Sequence, residues 1–131
     1  MVLVDSSVWI DYFKNTPTPQ VEYLDSLFGK RRIAVGDLIF AEVLQGVRDL
    51  KEYNLVRKTF SGFDQVELVG FDIAIKAANN FRFLRAKGIT IRKTIDTLIA
   101  TKCIEAGIAL LHDDLDFPPF VEHLGLMDAL A

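Results

Sequence analysis

The sequence predicts an α/β fold built on a short, mostly parallel sheet. Three observations predict it. Short, almost wholly apolar runs recur along the chain: Val2-Leu3-Val4, Ile33-Ala34-Val35 and Ile108-Ala109-Leu110-Leu111. Segments with helical spacing separate them, as βα units require. The runs lack polar alternation, which suits strands covered on both faces.

The elements follow in order. Val2–Val4 reads as a buried strand, and Asp5-Ser6-Ser7 as the cap of a helix that starts at Val8. Trp9 and Phe13, four apart, share a core-facing stripe. Residues 15–19 break the chain, and a second helix covers 20–28. Strand 33–35 leads to a helix capped by Asp37. A further helix runs over 50–60, and a third strand over 65–69. The clearest helix spans 72–87, with Ala74, Ala77, Ala78, Phe81 and Leu84 on the 3.6-residue period, Asp72 as cap and Gly88 as stop. Thr94 caps a helix over 95–106, ended by Gly107. The fourth strand follows at 108–111. After Pro118-Pro119, residues 120–126 read as an edge strand.

The 131 residues fit one domain, 1–131, and half are hydrophobic, enough for a core without disulfides. The single cysteine excludes an internal disulfide and any Cys-rich zinc site. No apolar stretch approaches the roughly 20 residues that span a bilayer. MVLVDSS turns acidic too soon for a signal peptide. The expectation is a cytoplasmic protein with no membrane contact. Net charge is −3, from 15 Lys+Arg against 18 Asp+Glu. The distribution says more than the sum. No acid falls between Asp72 and Asp96, where Lys76, Arg82, Arg85, Lys87, Arg92 and Lys93 all lie. A basic strip beside an acidic pocket suits a polyanion held near bound cations; an ordinary solvated helix face explains the strip alone equally well.

The acids carry the chemistry. In open α/β sheets, ligands bind beyond the carboxyl ends of the strands. Asp5 ends the first strand, and Asp113, Asp114 and Asp116 follow the fourth. Glu42 and Asp96 fall in the early turns of two helices, which begin at the same sheet edge. Clustered carboxylates repel and need a cation, and hard divalent ions take oxygen ligands. Two histidines and one cysteine supply zinc or thiol chemistry poorly. Each acid also has a plainer reading. Asp5 can be a cap, Glu42 a solvent-facing helix residue, Asp96 a favourable charge at a helix start, and Asp114 and Asp116 loop acids.

Four motifs together resemble a known family. Asp5-Ser6-Ser7-Val8-Trp9-Ile10-Asp11 is similar to the opening of VapC-type toxins, ribonucleases of the PIN-domain family. Glu42 in Phe40–Gly46, Asp96 in Arg92–Ala100, and His112-Asp113-Asp114-Leu115-Asp116-Phe117 resemble the remaining motifs. The resemblance covers nearly the whole chain, in order. It implies a three-layer α/β/α PIN fold with about five strands. It implies an endoribonuclease dependent on Mg2+ or Mn2+, one or two ions, leaving a 5′-phosphate and a 3′-hydroxyl. It further implies a homodimer, and a cognate antitoxin that pushes a basic side chain into the acidic pocket.

Matched by residue, Asp5, Asp96 and Asp114 would hold the principal metal. Glu42 would help with a second ion or position the attacking water. Asp116 is auxiliary. Ser7 supports Asp5 or touches the metal's water, with helix capping as its plain alternative. Asp113 departs from the usual neutral or basic residue and competes with Asp114 for the ligand role. Arg85, Lys87, Arg92 and Lys93 are the candidates for RNA phosphate contacts. His112, Cys103 and Trp9 are read as structural. The rival function is a catalytically degenerate PIN-like module that binds RNA or protein. A phosphotransfer receiver needs an acidic pair after the first strand, and a haloacid-dehalogenase-like phosphatase needs a second Asp where Ser7 stands; both are disfavoured.

Overall fold

In the computed structural model, which describes residues 1–131, four strands form one sheet. They are β1 (Val2–Val4), β2 (Ile33–Gly36), β3 (Asp64–Val66) and β4 (Ala109–Leu111), in the order β3-β2-β1-β4. Every neighbouring pair is parallel. β1 and β2 are buried throughout, as their unbroken apolar sequence requires.

The connections place the helices. α1 (Ser6–Phe13) and α2 (Pro19–Leu27) join β1 to β2, and α3 (Asp37–Gln45) and α4 (Leu50–Ser61) join β2 to β3. Both crossovers move the chain the same way across the sheet. α5 (Phe71–Ala86) and α6 (Thr94–Ala106) carry it back past β1 to β4. Right-handed crossovers running in opposite directions lay their helices on opposite faces. Accordingly α1 packs on α2 and α3, while α5 packs on α6 and on α7 (Pro118–Leu124). This is the expected α/β fold with a parallel central sheet.

The chain differs from expectation at its end. The sheet has four strands rather than about five. Residues 120–126, expected as an edge strand, lie mostly in α7. Pro118 and Pro119 fall in its first turn, where a missing N–H loses nothing and φ is already helical. Gly125, at φ 80°, then turns the chain out of the helix. Beyond it, Leu110 N–H donates to Met127 O (2.9 Å), and Ala129 N–H donates to Leu110 O (3.0 Å). That single parallel bridge covers the outer side of β4.

Three expected caps also differ. The N-cap positions of α3, α5 and α6 are Gly36, Gly70 and Lys93, and none makes a side-chain cap bond. Asp37 instead accepts from Leu38 N–H (2.9 Å) and Leu68 N–H (3.0 Å), tying the exit of β3 to the start of α3. Asp72 is exposed and pairs with Lys76 at 3.5 Å. Thr94 is the first residue of α6 rather than its cap.

An aromatic cluster fills the α1–α4 face. Trp9 is fully buried, with ring centroids 4.9 Å from Phe60 and 5.5 Å from Phe63. It fixes α1, and with it the residues that start the helix. No helix is long and apolar enough to cross a membrane.

At the end of β2 the backbone of Gly36 approaches Leu68 so closely that an added Cβ would lie 2.7 Å from Leu68 Cγ. Gly36→Ala is therefore expected to destabilise the protein by about 1–3 kcal/mol through overpacking. Urea denaturation measures this; unchanged stability would show that Leu68 yields freely.

Candidate active site

The strand order reverses between β1 and β4, and such a reversal opens a crevice at the strands' carboxyl ends. Asp5 enters it directly. Its N–H continues the ladder to Leu111 O (2.9 Å), and its carboxylate caps α1. Asp5 Oδ2 accepts from Ser7 N–H (3.2 Å) and Ser7 Oγ–H (2.7 Å). Ser7 thus supports Asp5, and the cap is Asp5 itself, so α1 starts at Ser6 rather than Val8.

Asp96 comes from the first turn of α6, whose inner face of Ile99, Ala100 and Cys103 is locked in the core. Asp114 and Asp116 come from the loop after β4. Asp116 N–H donates to Asp114 Oδ1 (2.9 Å), an Asx-type turn that brings the two carboxylates together. Phe117, fully buried, anchors that turn. One oxygen each from Asp96, Asp114 and Asp116 lies within 4.8 Å of the others. Glu42, on α3, accepts from Ser6 Oγ–H (3.3 Å). Asp113 is exposed and outside the group.

Asp116, expected as an auxiliary residue, stands among the grouped acids. It is 5% exposed and belongs to the tight group. The signal was the Asp114-x-Asp116 spacing ahead of an aromatic, which the turn converts into proximity.

Burial and mutual repulsion shape the charges. Asp96 is pushed up to about 7, first by burial, then by Asp5 and Asp114, against the opposing pull of Lys93. Burial also raises Asp5, partly offset by its Ser7 hydrogen bonds. Glu42 is raised by burial and by Asp5. Burial works to raise Asp114 too, but the Asp116 N–H, Lys93 and Arg92 outweigh it and hold that carboxyl below its ordinary range.

The basic candidates divide. Lys93 Nζ lies 3.1 Å from Asp114 and 3.6 Å from Asp96, and Arg92 Nε lies 3.4 Å from Asp116. Arg85 instead lies over Phe81 on α5, and Lys87, at the C-cap of that helix, lies over Phe83. His112 is buried against Phe117, 3.6 Å from Asp128, and fits a structural role. Burial pushes the Cys103 thiol up to about 12, so it is no nucleophile.

Three buried carboxylate oxygens, Asp5 Oδ1, Asp96 Oδ2 and Asp116 Oδ2, have no hydrogen-bond partner. Orphaned buried oxygens call for a compensating group, and an all-oxygen donor set suits a hard divalent cation. The residues fit such an ion.

A sequence profile of the PIN domain matches residues 2–120. The chain belongs to the PIN-domain family. Within it, the chain groups with the VapC-type ribonucleases. It is 31% identical over 122 residues to Ribonuclease VapC11 of Mycobacterium tuberculosis and to VapC ribonuclease Mb1587 of Mycobacterium bovis, covering 89% of each chain. Its fold is also that of solved structures at lower identity. VapBC2 from Rickettsia felis, bound to a promoter DNA fragment, superposes with TM-score 0.74 at 17% identity, covering 97% of this chain and 96% of that one. VapC20 of M. tuberculosis, a toxin that cleaves the sarcin–ricin loop, gives 0.64 at 18% identity, covering 98% of each.

The raised carboxyls set a pH dependence. An unfolded Asp96 would ionise near 3.8, whereas the folded one keeps its proton to about 7. Between these values the folded state binds more protons, so stability falls as pH rises. Metal-free protein is expected to melt several degrees lower at pH 8 than at pH 5, on the order of 5 °C. Asp96→Asn should flatten that slope, as calorimetry in EDTA can show. A wild-type melting point that rises from pH 5 to pH 8 would contradict it.

Proposed function

We propose that this protein is a divalent-metal-dependent endoribonuclease and the toxin of a toxin–antitoxin pair. The observation that carries the reading is the group of Asp96, Asp114 and Asp116, with Asp5 beside it and three carboxylate oxygens left unpartnered. Asp5, Asp96 and Asp114 hold the ion, with Asp116 as a further ligand or as the group that fixes Asp114. Bound there, magnesium or manganese supplies Lewis acidity, an activated water and neutralised charge on the phosphoryl oxygens.

The chain's own residues do the rest. Ser7 holds Asp5 in place. Glu42, half-buried and raised by its surroundings, orients the attacking water. Arg92 and Lys93 hold the phosphates of the bound strand, and Arg85 and Lys87 extend that contact along α5. Water adds to phosphorus, the bond to the 3′-oxygen breaks, and the proton passes to that oxygen. The products are a 5′-phosphate and a 3′-hydroxyl.

The VapC-type relatives support the ribonuclease assignment, and the VapBC complexes among its structural neighbours support an antitoxin partner. A basic side chain of that antitoxin would neutralise the same acids. Residues 1–131 act as one nuclease domain, working in the cytoplasm as a homodimer. A non-cleaving RNA- or protein-binding module leaves the buried, mutually repelling carboxylates without a purpose.

Purified protein is expected to cut structured RNA with Mg2+ or Mn2+ and to stop in EDTA. Asp5→Asn and Asp96→Asn should each lower the rate by about a thousand-fold or more. Asp116→Asn should lose at least about ten-fold. Variants as active as the wild type would remove these acids from the reaction.

A further inference from the structure

The acids face an ammonium from their own chain. Lys93 Nζ lies between Asp114 Oδ2 and Asp96 Oδ2, at 3.1 and 3.6 Å. Its charge is also felt at Asp5 and Glu42. Asp96 Oδ2 makes no hydrogen bond, so this ion pair is its main compensation. The backbone fixes the arrangement. Ile91 is buried in the core and α6 starts at Thr94, which leaves Arg92 and Lys93 on a short span tethered at both ends. The lysine side chain itself is 53% exposed and free to leave.

We propose that Lys93 is a tethered counter-ion that holds the acid cluster together in the metal-free protein and competes with divalent metal for Asp96 and Asp114. Once displaced, it turns to the phosphates of the RNA. The inference rests on the metal-dependent nuclease reading above.

The physical case is one of shared oxygens. A divalent ion held by Asp96 and Asp114 would draw on the carboxylates that the ammonium faces, and two cations at one pair of carboxylates repel. The ion's larger charge wins, but displacement weakens its binding. Lysine suits the task better than arginine, because its ammonium is compact and its stem flexible. Arg92, planar and 69% exposed, stays at the rim on Asp116 and Asp114. The side chain is therefore a positioning residue for metal and RNA, poised where both arrive.

Calorimetric titration of the full chain with Mn2+ tests this. Lys93→Met is expected to bind Mn2+ about three- to ten-fold more tightly than the wild type, the scale of one lost competing ion pair. Lys93→Gln, a milder change, should gain in the same direction. Lys93→Arg, which keeps the charge but not the compact ammonium, should gain less than Lys93→Met, and the exposed control Lys51→Met should match the wild type. Metal-free Lys93→Met should melt below the wild type. At saturating Mn2+, its KM for RNA should rise several-fold with kcat less changed. A merely structural lysine would leave metal affinity unchanged or lower, and that result would overturn the competition. Tighter metal binding with an unchanged KM would overturn the transfer to phosphate. If the wild type itself bound no Mn2+, the nuclease reading would fall too, a result distinct from wild-type binding with no gain in Lys93→Met.

Discussion

Carboxylates repel, and the carboxyl edge of this sheet is organised around holding several of them in one place. Each acid is carried by an element fixed on its other side. Asp5 is bound to the strand by its own N–H and to α1 by Ser7. Asp96 rides on a helix whose inner face is core. Asp114 and Asp116 are coupled through a turn plugged by Phe117. Repulsion in a partly buried site is strong because little water screens it, so such anchoring is required before any cation arrives.

The fold supplies the meeting point. A parallel sheet whose strand order reverses between β1 and β4 leaves a crevice at their ends, and the two strands paired there both lead into acids. Opposite crossover directions put α3 and α6 on the two faces of the sheet, so Glu42 and Asp96 approach the same crevice from opposite sides. The aromatic cluster around Trp9 takes no part in the chemistry proposed for the acids, yet it sets the position of α1, whose N-cap is Asp5.

Much of this was legible in the sequence. Unbroken apolar runs located β1, β2 and β4, and the four motifs named Asp5, Glu42, Asp96 and Asp114. What was not legible depended on tertiary contact. Asp37, Asp72 and Thr94 look like caps locally, but the chain spends Asp37 on a distant amide, Leu68 N–H, and leaves Asp72 to a surface ion pair. Pro118-Pro119 reads as a breaker, although prolines open a helix as readily as they end one. The closeness of Asp116 to Asp114 and Asp96 is not legible either, because an Asx-type turn is a property of the folded loop. The sequence offers Arg92 and Lys93 as phosphate contacts, whereas their pairing with Asp116 and Asp114 spans more than twenty residues and exists only in the folded chain.

If acids distant in the chain form one divalent-cation site, an ion bound there lies close to all of them at once. Paramagnetic broadening of backbone amide resonances by substoichiometric Mn2+ tests it most directly. Signals from residues 5–7, 96–97 and 114–116 should broaden first and together, while those at the amino end of β2, such as 30–32, should persist. Broadening scattered over the surface, or confined to one of the three segments, would contradict it.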